Sequence, residues 1–133
     1  MSALRVSVYA NGAFVGHADL RPVDPETGTY GGPFNPGEGY AAVRPVVLEL
    51  MRRTWPRQQA ESAAHLREAY RRHDALALEV RTEAGEPLHP SAVYVEDAGG
   101  VWTDAVPRVE LLGLPDEEAR RHFGGGAGGR RGG

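Results

Sequence analysis

Residues 4–10, LRVSVYA, alternate strictly. Leu4, Val6 and Val8 fall on one side of an extended chain, and Arg5, Ser7 and Tyr9 on the other, the period of a half-buried strand. Asn11-Gly12 follows, a pair that tolerates the positive φ angles of a two-residue hairpin turn. AFVGHADL then returns as a second strand. Its alternation puts Phe14, Gly16, Ala18 and Leu20 on one face and Val15, His17 and Asp19 on the other. Tyr9, Val15 and His17 thus share the face turned away from Val6 and Val8.

The pattern lapses over residues 21–39, RPVDPETGTYGGPFNPGEG, which hold four prolines and five glycines. This reads as a long loop with at most a short extended piece at 27–30, and Tyr30 and Phe34 are its candidates for docking onto the body. A helix is predicted from Asn35. Asn35 suits the N-cap, Pro36 the first helical position, and Glu38 the third, as in a capping box. Tyr40, Val43, Val47, Leu50 and Met51 then recur at helical spacing. Pro45 lies off that stripe and either kinks the helix or marks its start. Trp55-Pro56 interrupts the period. A second helix with a thin apolar face (Ala63, Leu66, Tyr70) is predicted from Pro56 to about His73.

Strands return in 75–86 (Leu76, Leu78 and Val80 inward), in 91–97 (Val93 and Val95 against Tyr94) and in 108–114. Turns at 83–86 and 97–100 join them. PDEEARRHF closes as a short helix with acids first and arginines last, matching the helix dipole. The order β, β, α, α, β, β, β, α predicts one α+β domain over 1–123. Its antiparallel sheet has about five strands, opened by an N-terminal hairpin, with helices packed on one face.

Composition narrows the function. The chain of 133 residues carries a net charge of −3 and no cysteine, so disulfides, thiolate metal sites and a cysteine nucleophile are excluded. No basic-then-apolar leader opens it, and no apolar run approaches the ~20 residues of a membrane span. The expectation is a cytoplasmic protein. All fifteen basic residues are arginine, and isoleucine is absent, a bias that points to GC-rich bacterial coding. Arginines gather between 52 and 72, but without interleaved aromatics they read as a solvated helical face, so no nucleic-acid partner is assigned.

Searching for chemistry gives little. His17, His65, His73, His89 and His122 lie too far apart for a sequence-local metal site. The glycine-rich 27–39 stretch has no lysine for a phosphate loop and no dinucleotide spacing. Ser91 follows His89-Pro90, but adjacency in sequence is not a catalytic triad. Acidic pairs such as Glu96/Asp97 sit in turns. No catalytic residue, metal or cofactor is therefore assigned. The leading expectation is a non-enzymatic protein acting through protein–protein contacts, accessory or regulatory, with Tyr9, Val15, His17, Tyr30 and Phe34 as candidate binding residues. An enzyme with a carboxylate or histidine site ranks third. It would gather acids from separate turns, for instance Asp24, Glu96 and Asp104.

The second-ranked reading comes from the end of the chain. Residues 124–133, GGGAGGRRGG, have no means of packing and are read as a disordered tail. The final Arg130-Arg131-Gly132-Gly133 resembles the C-terminus of ubiquitin-like modifiers. An activating enzyme draws such an end through a narrow channel that only residues without side chains fit. The resemblance implies conjugation through Gly132-Gly133, and the hairpin–helix–strand order is compatible with the β-grasp fold of that family. The helix at 115–123, between the last strand and the tail, departs from the modifier pattern.

Overall fold

The computed structural model describes residues 3–54, 63–97 and 106–123, with side chains at 3–51, 63–97 and 106–123. Trp55-Pro56, the predicted start of the second helix, most of the 97–100 turn, Asp104 and the Gly132-Gly133 tail lie outside these residues.

Six strands form one antiparallel sheet: β1 (Leu4–Ala10), β2 (Ala13–Asp24), β3 (Thr29–Pro36), β4 (Leu78–Thr82), β5 (Ala92–Glu96) and β6 (Arg108–Leu112). Their spatial order is β4-β1-β2-β3-β6-β5. Three helices complete the described α+β fold, α1 (Tyr40–Thr54), α2 (Ala63–Asp74) and α3 (Asp116–Phe123). The sheet curls until its two edge strands, β4 and β5, come into contact without pairing. None of the described helices is long and apolar enough to cross a membrane.

The hairpin forms as the pattern predicts. Ala10 pairs with Ala13 across Asn11-Gly12, whose φ angles are +51° and +83°. Beyond the turn the alternation breaks. Tyr9 pairs with Phe14, yet Val8 pairs with Gly16, so Val15 is an extra residue in β2, a β-bulge. The bulge shifts the parity of the strand. Phe14 moves to the outer face beside Tyr9, and Val15 enters the core.

The predicted 21–39 loop is mostly strand. β2 runs on to Asp24, a single 3-10 turn follows at Pro25–Thr27, and β3 lies between β2 and β6. This is the sixth strand that the sequence pattern omits. Tyr30, Gly32 and Phe34 alternate onto its inner face, and Tyr30 and Phe34 are fully buried. Glycine marks a close approach here. A Cβ at Gly32 would fall on the Asp19 carbonyl, and one at Gly31 would lie 3.1 Å from the Val109 carbonyl. The composition that hid the strand is the one its packing requires.

The helix predicted from Asn35 begins at Tyr40. Asn35 and Pro36 remain in β3, and the Gly37 amide donates to the Val15 carbonyl at 2.7 Å, tying the turn to the bulge. The expected stripe holds, with Tyr40, Val43, Val47 and Leu50 buried. Pro45 sits inside α1 and faces solvent, where water can serve the carbonyl its missing N–H leaves free.

Val6, Val8, Ala18, Leu20, Val80, Val95, Val109 and Leu111 supply the core from the inner face of the sheet. α1 joins it through Tyr40, whose ring meets Phe34 edge-on at 5.3 Å, and α3 through Phe123, stacked on Tyr30 at 4.2 Å. Asp97 is the buried polar node between α1 and the end of β5, only 3% exposed. The Tyr40 hydroxyl donates to its Oδ2 at 2.6 Å and Arg44 Nε at 3.0 Å. Burial, then the hydrogen bond and charge of Asp97, push the Tyr40 phenol far above its ordinary pKa, so it stays a donor.

Candidate functional site

Three regions carry groups that folding does not consume. The first is the outer face of the hairpin. The Phe14 ring meets Tyr9 at 5.9 Å and His17 at 4.9 Å, both edge-on, and the Arg81 guanidinium lies 4.8 Å above the Tyr9 ring. All four side chains are partly exposed. Of the residues singled out from the sequence, the structure brings together Tyr9 and His17. Val15, Tyr30 and Phe34 lie in the core and present no surface to a partner. The bulge substitutes Phe14 for Val15. The Gly16 that sequence reading placed in a regular strand was the available hint, since glycine within a strand often marks a bulge.

The second region is the seam where the curled sheet stops short of closure. A cavity of about 390 Å3 lies between β4 and β5, walled by Leu78, Val80, Leu88, Val93, His89, Ser91 and Tyr94, with His73 and Asp74 from α2. The His73 ring packs 5.1 Å from Tyr94 and is 2% exposed, and its Nε2 has no hydrogen-bond partner. Burial holds the imidazole below its usual pKa, against a smaller opposing pull from Asp74, so the ring is neutral at pH 7.

His89, at the mouth of this cavity, is held from α3. Its backbone N–H donates to Glu118 Oε1 at 2.8 Å, and its Nδ1 lies 2.5 Å from Glu118 Oε2. Burial works to raise the Glu118 pKa, but the two hydrogen bonds from His89 and its charge carry it below the usual value. Facing a carboxylate, Nδ1 is the ring nitrogen placed to donate to it. A second contact runs the other way, from His122 of α3 to Glu86 at 3.6 Å. Ser91 makes no hydrogen bond to His89 among the described contacts, so no nucleophile–base pair is assembled.

The third region adjoins the second across Tyr94. A cavity of about 350 Å3 is lined by Val47, Leu50 and Met51 of α1, Tyr70 of α2, and Tyr94, Glu96, Glu110 and Leu112 of the sheet. Tyr70 and Tyr94 meet edge-on at 6.3 Å. Tyr94 pairs with Glu110, and Glu96 with Arg108, which makes the two glutamates diagonal neighbours on one face. Both carboxylates line the same cavity, so each sits in the other's field. Burial first, and then the Glu110 charge, raise the Glu96 pKa, with Arg108 opposing. Of the acids that sequence reading would gather into an active site, Glu96 is here. Asp24 lies exposed at the end of β2, outside this cavity. Glu110 was not singled out, because diagonal neighbours are fixed by strand register.

Among the described residues, no group of three or more histidines and acids is arranged to hold a metal ion. No protein-family model, no curated protein and no solved structure matches this chain.

Proposed function

We propose that this is a non-enzymatic protein that acts through protein–protein contacts, as an accessory or regulatory partner, using the outer face of its N-terminal hairpin. The observation that carries this reading is the Tyr9–Phe14–His17 ring cluster with Arg81 above it, partly exposed on the face opposite the core. Rings fixed by mutual contact lose little freedom on binding, and aromatic residues and arginine are the types that anchor protein interfaces. Folding gains little from leaving these rings at the surface, whereas a partner gains their full burial.

The test places a photo-crosslinking residue at Asn35, which is exposed and pairs with His17 on the same face. The expected result is one discrete adduct in the native host, lost when Tyr9→Ser and Phe14→Ser are combined in a variant whose circular dichroism is unchanged. An adduct pattern that is diffuse, or that persists in the double variant, rules the hairpin face out.

A second reading, a small enzyme with a carboxylate and histidine site, is favoured by one observation, the Glu118–His89 couple at the mouth of the β4–β5 cavity. A carboxylate that fixes an imidazole tautomer is how general bases are oriented. Under that reading Glu118→Gln abolishes turnover of the substrate while leaving its binding intact.

A further inference from the structure

Tyr94 lines two cavities beside β5, one holding His89 and Ser91 and the other Glu96 and Glu110, and together they mark out a groove along the strand. β5 is the last strand in the sheet order, so one side of its backbone has no partner among the described strands. We propose that this groove receives the chain's own carboxy-terminal segment, residues 124–133, with Arg130 and Arg131 at the Glu96–Glu110 carboxyl pair. The inference is independent of the hairpin face and concerns the opposite flank of the sheet order.

Charge is the first argument. Glu96 and Glu110 are diagonal neighbours on one face of the β5–β6 pair, with Arg108 opposite Glu96 as a cation there among the described residues. Two such acids stay together by sharing a proton or a cation. A guanidinium presents a planar fork of donors that can engage both at once. The walls suit it as well, since Tyr70 and Tyr94 line the cavity and an aromatic ring face attracts a cation.

The point of departure is the second argument. α3 ends at Phe123, and its His122 lies 3.6 Å from Glu86, two residues before the cavity wall at Leu88. Glu118 of the same helix grips His89, which lines the groove. The segment therefore leaves α3 beside the His89 end.

Length and composition agree with this. The six steps from Gly124 to Arg130 span about 20 Å when extended. The five steps of β5 and its approach, from Ser91 to Glu96, span about 17 Å. A segment entering beside His89 and running along β5 thus delivers its arginines to the acidic end. Residues 124–129 are glycine apart from Ala127, so backbone alone must pass the rings of His73 and Tyr94. A peptide backbone there also brings donors and acceptors to the cavity that His73 lines with an unpartnered nitrogen. Ordering glycines costs conformational entropy, so the docked state is weakly held and sensitive to salt.

The chain has no cysteine, and a single Gly133→Cys in the full-length protein gives a unique attachment point for a nitroxide. In 15N-labelled full-length protein at low salt, the amide signals of Tyr94, Glu96, Glu110 and Leu112 should lose most of their intensity relative to the reduced label. Those of Tyr9 and Phe14 on the hairpin face should keep theirs. Combining Arg130→Ala with Arg131→Ala, which leaves the folded body untouched, should restore the lost signals, as should high salt. Broadening confined to the end of α3, or unchanged in the double arginine variant, overturns the proposal. So does broadening seen only when label and 15N are on different molecules, which would make the occupant a second copy.

Discussion

The joint between β2 and β3 and the seam between β4 and β5 are opposite solutions to the same curled sheet. At the first, strands approach so closely that Gly32 has no room for a methyl group against the Asp19 carbonyl, and Tyr30 and Phe34 are sealed in. At the second, the strands touch without pairing and leave a cavity, a neutral imidazole with an unpartnered nitrogen and, just beyond Tyr94, two glutamates side by side on one face. Close packing stabilises, whereas unpaired polar groups and a gap cost stability. The difference locates stability on one side of the molecule and latent chemistry on the other.

Substitutions that breach the closed side should cost most. Gly32→Ala forces a Cβ onto a backbone carbonyl of the neighbouring strand, and we expect a loss of about 3 kcal/mol or more in urea unfolding. Gly85→Ala is the contrast. It sits in open space with φ of +91° and should cost only about 1 kcal/mol, from backbone strain alone. Near-equal losses would mean that the β2–β3 joint is looser than its geometry implies.

Asp97→Ala comes next, at about 3 kcal/mol. It strips a buried acceptor from the Tyr40 hydroxyl and from Arg44. Tyr40→Phe should cost about 1 kcal/mol by the same assay, because only one hydrogen bond is lost and the ring still packs on Phe34.

On the open side the signs reverse. His73→Leu should raise stability by about 1 kcal/mol at pH 7, since it removes a buried nitrogen without a partner. Its pH dependence provides a second check. The folded state holds His73 below its ordinary pKa of 6.5. As the pH falls below 6.5 the unfolded chain takes up a proton that the folded chain resists, and stability drops until the folded pKa is reached. In the leucine variant that part of the drop should vanish from melting curves recorded between pH 7 and 5.

Glu96→Gln should have the smallest effect, a gain of about 0.5 kcal/mol at pH 7, because the group is half-exposed and its repulsion from Glu110 is screened. The folded pKa of Glu96 is raised, so the stability it contributes is present below the unfolded value of 4.5 and is lost as pH rises through the folded value. Comparing wild type and variant from pH 4 to 7 should show the gain appearing only as the pH rises. A gain already present at pH 4 would assign it to something other than the shared charge.

How far the sequence could be read depends on the distance over which each feature is decided. Asn11-Gly12, the Val43–Val47–Leu50 stripe and the acid-to-base order of α3 are local, and each element formed where its pattern lay. The bulge at Val15 broke the parity assumed for β2, because a one-residue insertion is visible only against the partner strand. β3 was hidden by its own glycines and prolines. Such residues ordinarily signal turns, and only neighbours on both sides show that Gly31 and Gly32 are there to let strands meet. The Glu118–His89 couple joins residues 29 apart, and the Glu96–Glu110 pair depends on the register of β5 on β6.

The sequence by itself determined the class of fold, the hairpin and most of the helical and strand segments, because burial repeats with the period of each element and needs no knowledge of the rest of the chain. The tertiary structure alone decided which aromatics face outward, that a glycine-rich stretch becomes a strand between two others, and that the sheet curls without closing. Those outcomes rest on register, close approach and curvature, which are relations between segments far apart in the chain, and no single segment encodes them.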